Sequence, residues 1–295
     1  MRTGAALLLL VLGLCGCKPA VEPRSKAIIG AVLIDGAGGP PLNNSIVLVS
    51  DGRIVAAGRH GEIPVSEDAS KFDGSGRYLT PAPIDIYPRA VAPEEARAQI
   101  AKSGAAKPAL LHVWTSAAPR AEFDSLMESA RAAEVPIAGH PASQADAQLL
   151  VQDGASVLIG MLRDTENLDT AFVTRLRDLR VIYAPALSSI PEGAELETAR
   201  RNTRRLFAAG VPLAVATTGG GVVHECELMV DAGVPPLDVI VAATQSGARA
   251  LRQQDDRGTI QPNKRADLLV LAANPGEDIR NLSRVERRMV AGEWK

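Results

Sequence analysis

Between Pro81 and Leu251 short apolar runs alternate with amphipathic helical stretches, whereas both flanks hold only strand and turn patterns. Alternation of this kind demands a parallel α/β arrangement in the middle of the chain. Six runs read as strands: Thr80 to Arg89, Leu110 to Thr115, Val135 to His140, Ala155 to Gly160, Val181 to Ala184 and Val211 to Thr217. Pro93 to Lys102, Pro119 to Glu134, Gln144 to Gln152, Ala194 to Ala209 and Pro236 to Leu251 read as helices. A closed eight-stranded (β/α) barrel takes ~250 residues, more than this stretch offers. Between Arg89 and Leu110 there is room for one helix and no strand, so the expected arrangement is open, partial or six-stranded.

The N-terminus is a targeting segment. Arg2 precedes an apolar run, Ala5 to Leu14, too short to span a bilayer comfortably. Leu14-Cys15-Gly16-Cys17 resembles a bacterial lipobox, which implies cleavage before Cys17 and a lipid on that residue. Residues 1–17 then form the signal peptide and 18–26 a tether. The expected location is the cell envelope, anchored to the outer membrane and facing the periplasm. Cys226 would be the one cysteine left, which excludes an intrachain disulfide. A net charge of -2 and 3% aromatic residues give no reason to expect nucleic acid.

The flanks carry strand and hairpin signals. Ile28 to Asp35, Ser45 to Val49, the turn Asp51-Gly52 and Arg53 to Gly58 lie before the α/β region; Gly258 to Leu271 and Val285 to Lys295 lie after it. Their wording resembles the two halves of the small β-sandwich that surrounds the barrel in the amidohydrolase superfamily, nearest to its imidazolonepropionase and prolidase-like branch. The resemblance implies a composite β-sandwich from residues 27–80 and 255–295. A shortened TIM-like barrel (81–254) is inserted in it, and family strands two and three are missing.

It also implies where metal ligands should stand, and most positions hold something else. Thr80 to Arg89 resembles the first barrel strand, whose two histidines are replaced by Tyr87 and Arg89. Neutral tyrosine is a poor ligand and a guanidinium is none. His112 stands at the position of the bridging lysine, and His140 keeps the strand-five histidine. Gly160 falls at the strand-six histidine. Thr218 falls at the final aspartate, where a hydroxyl is no general base at neutral pH. Asp85 sits two residues before Tyr87.

These replacements imply a catalytically degenerate protein that binds a ligand or a partner, with no cofactor expected. The alternative is a surviving metal-dependent hydrolase of non-peptide C–N bonds, with zinc held by His112 and His140. A further expectation is a second subunit, another copy or a relative, docked on a barrel edge left exposed by the missing strands. His224-Glu225 resembles a family motif that packs a helix and caps a loop. Arg200, Arg201, Arg204 and Arg205 read as a solvated helix face, His60 as a surface turn residue, and Gly219 to Gly221 as a loop lacking the lysine of a phosphate-binding motif. Cys226 has no neighbours that would activate it.

Overall fold

A computed structural model describes residues 25–87, 90–102, 108–114, 120–160, 162–217 and 220–295. The first six strands are β1 (Ser25–Ile29), β2 (Val32–Leu33), β3 (Ser45–Ser50), β4 (Arg53–Arg59), β5 (Ser70–Asp73) and β6 (Tyr78–Pro81). Four of them form a sheet in the order β4-β3-β1-β5. Asp51 and Gly52 both have positive φ (50° and 79°), the geometry a two-residue hairpin turn needs, and they join β3 to β4. The strand register starts at Ser25, which pairs with Ser50, and Lys26 pairs with Val49. Ser25 and Lys26 therefore belong to the sheet and not to the tether expected over 18–26.

The α/β region supplies four parallel strands: β7 (Leu111–Trp114), β8 (Ile137–His140), β9 (Val157–Ile159) and β10 (Ile182–Ala184). Around them lie α1 (Pro93–Lys102), α2 (Arg120–Ala132), α3 (Gln144–Asp153), α4 (Thr170–Asp178), α5 (Ala194–Ala208), α6 (Val222–Asp231) and α7 (Pro236–Val241). A π-helical turn, Ala242–Ser246, continues α7 into Gly247–Ala250. The last strands, β11 (Leu268–Leu271), β12 (Val285–Val290) and β13 (Glu293–Trp294), join β6 and β2 in the order β13-β12-β11-β6-β2. Leu268 pairs with Pro81 and Leu271 with Tyr78, so the two flanks of the sequence meet in one sheet. That sheet shares an apolar core with the first: Ile28, Val47 and Ile54 pack with Leu79, Val270 and Met289.

The barrel is incomplete by comparison with an eight-stranded one, and two expected strands are not regular. β6 stops at Pro81, and Val211 to Thr217 forms only one bridge, between Leu213 and Tyr183. The edges of the four-stranded sheet are nevertheless met. Val91 bridges to Val113 on the β7 side, and Leu213 to Tyr183 on the β10 side. The Ile86 N–H donates to the carbonyl of Val215, in the segment that bridges β10 through Leu213. Each edge strand thus has a backbone neighbour at one isolated bridge.

Strand alternation separates two cores. Outward residues such as Leu111, Val113, Ile137, Leu158 and Tyr183 pack beneath the helices. Inward residues form a second cluster of Ile84, Ile86, Leu110, Ala138, Val157, Ile159, Ile182, Ala184, Ala214 and Ala216. Outside, Gly139 lets α3 approach β8 closely, since a Cβ there would lie 2.5 Å from Leu150 Cδ1. Among the described residues no helix is long and apolar enough to cross a membrane.

Candidate functional site

Period-two alternation continues upward from Leu110 to His112 on β7 and from Ala138 to His140 on β8, so both imidazoles face the barrel interior at the strands' C-terminal ends. They are 2% and 3% exposed. His112 Nδ1 lies 3.3 Å from His140 Nε2, a contact in which one ring donates and the other accepts. His112 Nε2 is buried and has no hydrogen-bond partner among the described residues. Burial in this apolar setting pushes His112 down to about 3, with the neighbouring His140 adding to it, and burial pushes His140 down to about 4. At neutral pH both rings are uncharged.

Aromatic rings wall the pair. Trp114 lies 4.7 Å from His140 between centroids, and Tyr87 meets His140 and His112 edge-on at 5.7 and 6.3 Å. In a chain with only two tryptophans and three tyrosines, one of each stands here. Trp114 pairs in register with His140 and was not singled out from sequence, although its place beside His112 at period two was visible.

Of the other expected positions, Gly160 follows β9 in a left-handed conformation (φ 69°) and offers no donor. Arg89, Thr218 and Cys17 lie outside the described residues. Asp85 accepts from the Tyr87 and Thr217 N–H groups at 3.0 and 3.1 Å, and from the Thr217 hydroxyl. Its carboxylate is engaged in joining the first and last barrel segments. Among the described residues, no three or more His, Cys, Asp or Glu side chains are grouped to hold a metal ion. A catalytic zinc takes three protein ligands, so two imidazoles alone do not fit one.

Glu225 is fully buried on α6 and accepts the Leu187 and Ser188 N–H groups at 2.7 and 2.8 Å. It caps the 3-10 turn Leu187–Ser189 that follows β10, a structural use like the one its motif implies. Burial raises its carboxyl, while these bonds oppose the shift. Cys226 beside it is buried, and its thiol is pushed up to about 12 by burial and by Glu225 and Glu227. It has no reactive thiolate at neutral pH. A groove of about 860 Å³ lies elsewhere, between α3 and α4 on the outer surface.

The sequence profile of the amidohydrolase family matches residues 88–295. The chain belongs to the amidohydrolase family. Solved structures agree on the fold. Molinate hydrolase superposes with a TM-score of 0.73 at 17% identity, covering 93% of this chain and 95% of its own. Phenylurea hydrolase B gives 0.76 at 18%, covering 92% and 96%. A Xaa-Pro dipeptidase with bound methionine in its active site gives 0.75 at 15%, covering 92% and 99%. No curated protein matches this amidohydrolase-family chain.

Proposed function

We propose that this amidohydrolase-family protein binds a ligand or partner at its barrel mouth and does not carry out metal-dependent hydrolysis. We read it as an envelope lipoprotein held by Cys17 and facing the periplasm, with the two terminal sheets forming the family's β-sandwich. The observation that carries the functional reading is the His112–His140 contact. Two neutral imidazoles spend their facing nitrogens on each other, among apolar side chains, where the family resemblance implies a set of metal ligands. Tyr87 and Gly160 offer no replacement, and Asp85 is bound to Thr217. The aromatic wall and the orphaned His112 Nε2 support a pocket that recognises a ligand through one hydrogen bond and apolar contact.

A second reading keeps the hydrolase activity of the relatives, toward a non-peptide C–N bond. One observation favours it: two imidazole ligands of a tetrahedral zinc lie about 3.3–3.4 Å apart, given Zn–N distances of ~2.0–2.1 Å. The observed separation is 3.3 Å. Elemental analysis of the purified full-length protein after dialysis separates the two. The proposal expects no stoichiometric metal; one equivalent of zinc, lost in His140→Ala, would establish the second reading.

A further inference from the structure

At the end of the strands opposite to His112 and His140, a groove of about 420 Å³ opens where β8 and β9 begin. Small-molecule sites are of this size. Its floor is apolar, with Met127 and Val135 buried beneath it. Its rim is charged: Arg131 near the end of α2, Glu134 just after that helix, Asp153 at the end of α3, and Arg252 after the helical turn Gly247–Ala250.

Most of this charge is not spent within the protein. Asp153 is bonded by Arg120 at 2.8 Å. The Arg131 and Arg252 side chains bond only backbone carbonyls, those of Asp153 at 3.3 Å and of Glu134 at 2.7 Å. Neither forms an ion pair among the described residues. The Glu134 carboxylate is exposed and has no cationic partner among them either. Two guanidiniums and one carboxylate, free of ion pairs, thus share one groove over an apolar floor.

Two of these side chains stand at strained positions. Glu134 (φ 58°) and Arg252 (φ 54°) close their helices in the left-handed conformation, and the N–H groups that follow return to the carbonyls of Ala130 and Ala248. Glycine is the usual residue there, and α3 ends that way at Gly154 in the same groove. Strain kept at two charged residues of one groove points to a use for their side chains.

We propose that this groove binds an α-amino acid with an aliphatic side chain. The ligand's carboxylate takes charge-assisted bonds from Arg131 and Arg252, its ammonium group donates to Glu134, and its side chain rests on Met127 and Val135. The lining carries two cations and two carboxylates, so a zwitterion suits it better than a simple anion or cation. The site is separate from the barrel mouth and does not depend on what binds there.

Isothermal titration calorimetry of the full-length protein with L-leucine, L-leucinamide and 4-methylpentanoate tests the assignment. The amide lacks the carboxylate, and the acid lacks the ammonium group. The expected result is one equivalent of leucine bound, with both analogues weaker by about tenfold or more. Glu134→Gly should weaken leucine by a similar factor and leave the thermal midpoint unchanged or higher, because glycine suits the left-handed backbone. Arg131→Gln, an exposed change, should weaken leucine likewise. No binding at millimolar leucine, equal affinity for the three compounds, or undiminished binding in both variants would overturn the site.

Discussion

Asp85 and Thr217 are 132 residues apart in sequence, and the Asp85 carboxylate takes both the backbone N–H and the hydroxyl of Thr217. This is the side-chain link that draws the last barrel segment against the first, where backbone pairing is sparse. Asp85→Asn is expected to cost about 1–2 kcal/mol of stability, since bonds to an ionised acceptor are the stronger kind. A double-mutant cycle with Thr217→Val in urea denaturation should return a coupling on the order of 1 kcal/mol. Additive single effects would show that the link adds nothing.

The histidine pair makes stability depend on pH. Both rings titrate lower in the fold, about 3 and about 4, than the 6.5 of a free imidazole. Above pH 6.5 the rings are neutral whether the chain is folded or not, so the fold loses nothing. As pH falls below 6.5 the unfolded chain takes up protons that the folded one refuses, and stability drops until the folded values are passed. The combined loss is on the order of several kcal/mol between pH 6.5 and 4. Replacing His112 by Leu should flatten that part of the profile, measured by denaturation midpoints across the range; an unchanged slope would mean the pair does not titrate this way.

Glu225 is expected to matter for folding more than for any chemistry. Glu225→Ala strands the buried Leu187 N–H, at about 1–3 kcal/mol, and the part-buried Ser188 N–H at less. Glu225→Gln keeps one acceptor oxygen and should recover part of the loss. Thermal unfolding of the three proteins gives the order. A Gln variant less stable than the Ala variant would contradict the capping role.

Gly139→Ala sets a methyl group against Leu150 at 2.5 Å, in a contact between strand and helix that has no slack. The expected penalty is about 1–3 kcal/mol, as for other overpacked cores. Leu150→Val in the same chain should relieve part of it. Equal stability of Gly139→Ala and the parent would show that α3 can shift outward freely.

Much of this was readable from residue order. The flanking strands, the Asp51-Gly52 turn and the boundaries of α1 and α3 follow from alternation, turn chemistry and capping, all of which act locally. Ser143 as N-cap and Gly154 as C-cap illustrate how fully α3 is specified by its own sequence. α4 was not anticipated, although its Asp169 cap bonds the Phe172 N–H at 2.7 Å. Its signal is short and begins within a polar loop. The segments around Ile86 and Val215 looked like strands because their side chains alternate. They are held by a few isolated backbone bonds, Ile86 to Val215 and Tyr183 to Pro212 and Ala214, and not by a regular ladder. At the site, His112 and His140 were found from their motifs, but their 3.3 Å contact depends on the parallel register of β7 and β8. Trp114 gains its place from the same register.

The central claim is that His112 and His140 bond each other and leave too few donors for a hydrolytic metal. Imidazole ¹⁵N NMR of the dialysed protein during zinc titration tests it most directly. The account predicts two neutral rings with one shared proton, and resonances that do not move as zinc is added at protein-equivalent concentration. Stoichiometric movement of His112 Nδ1 and His140 Nε2 together, with loss of the shared proton, would contradict it.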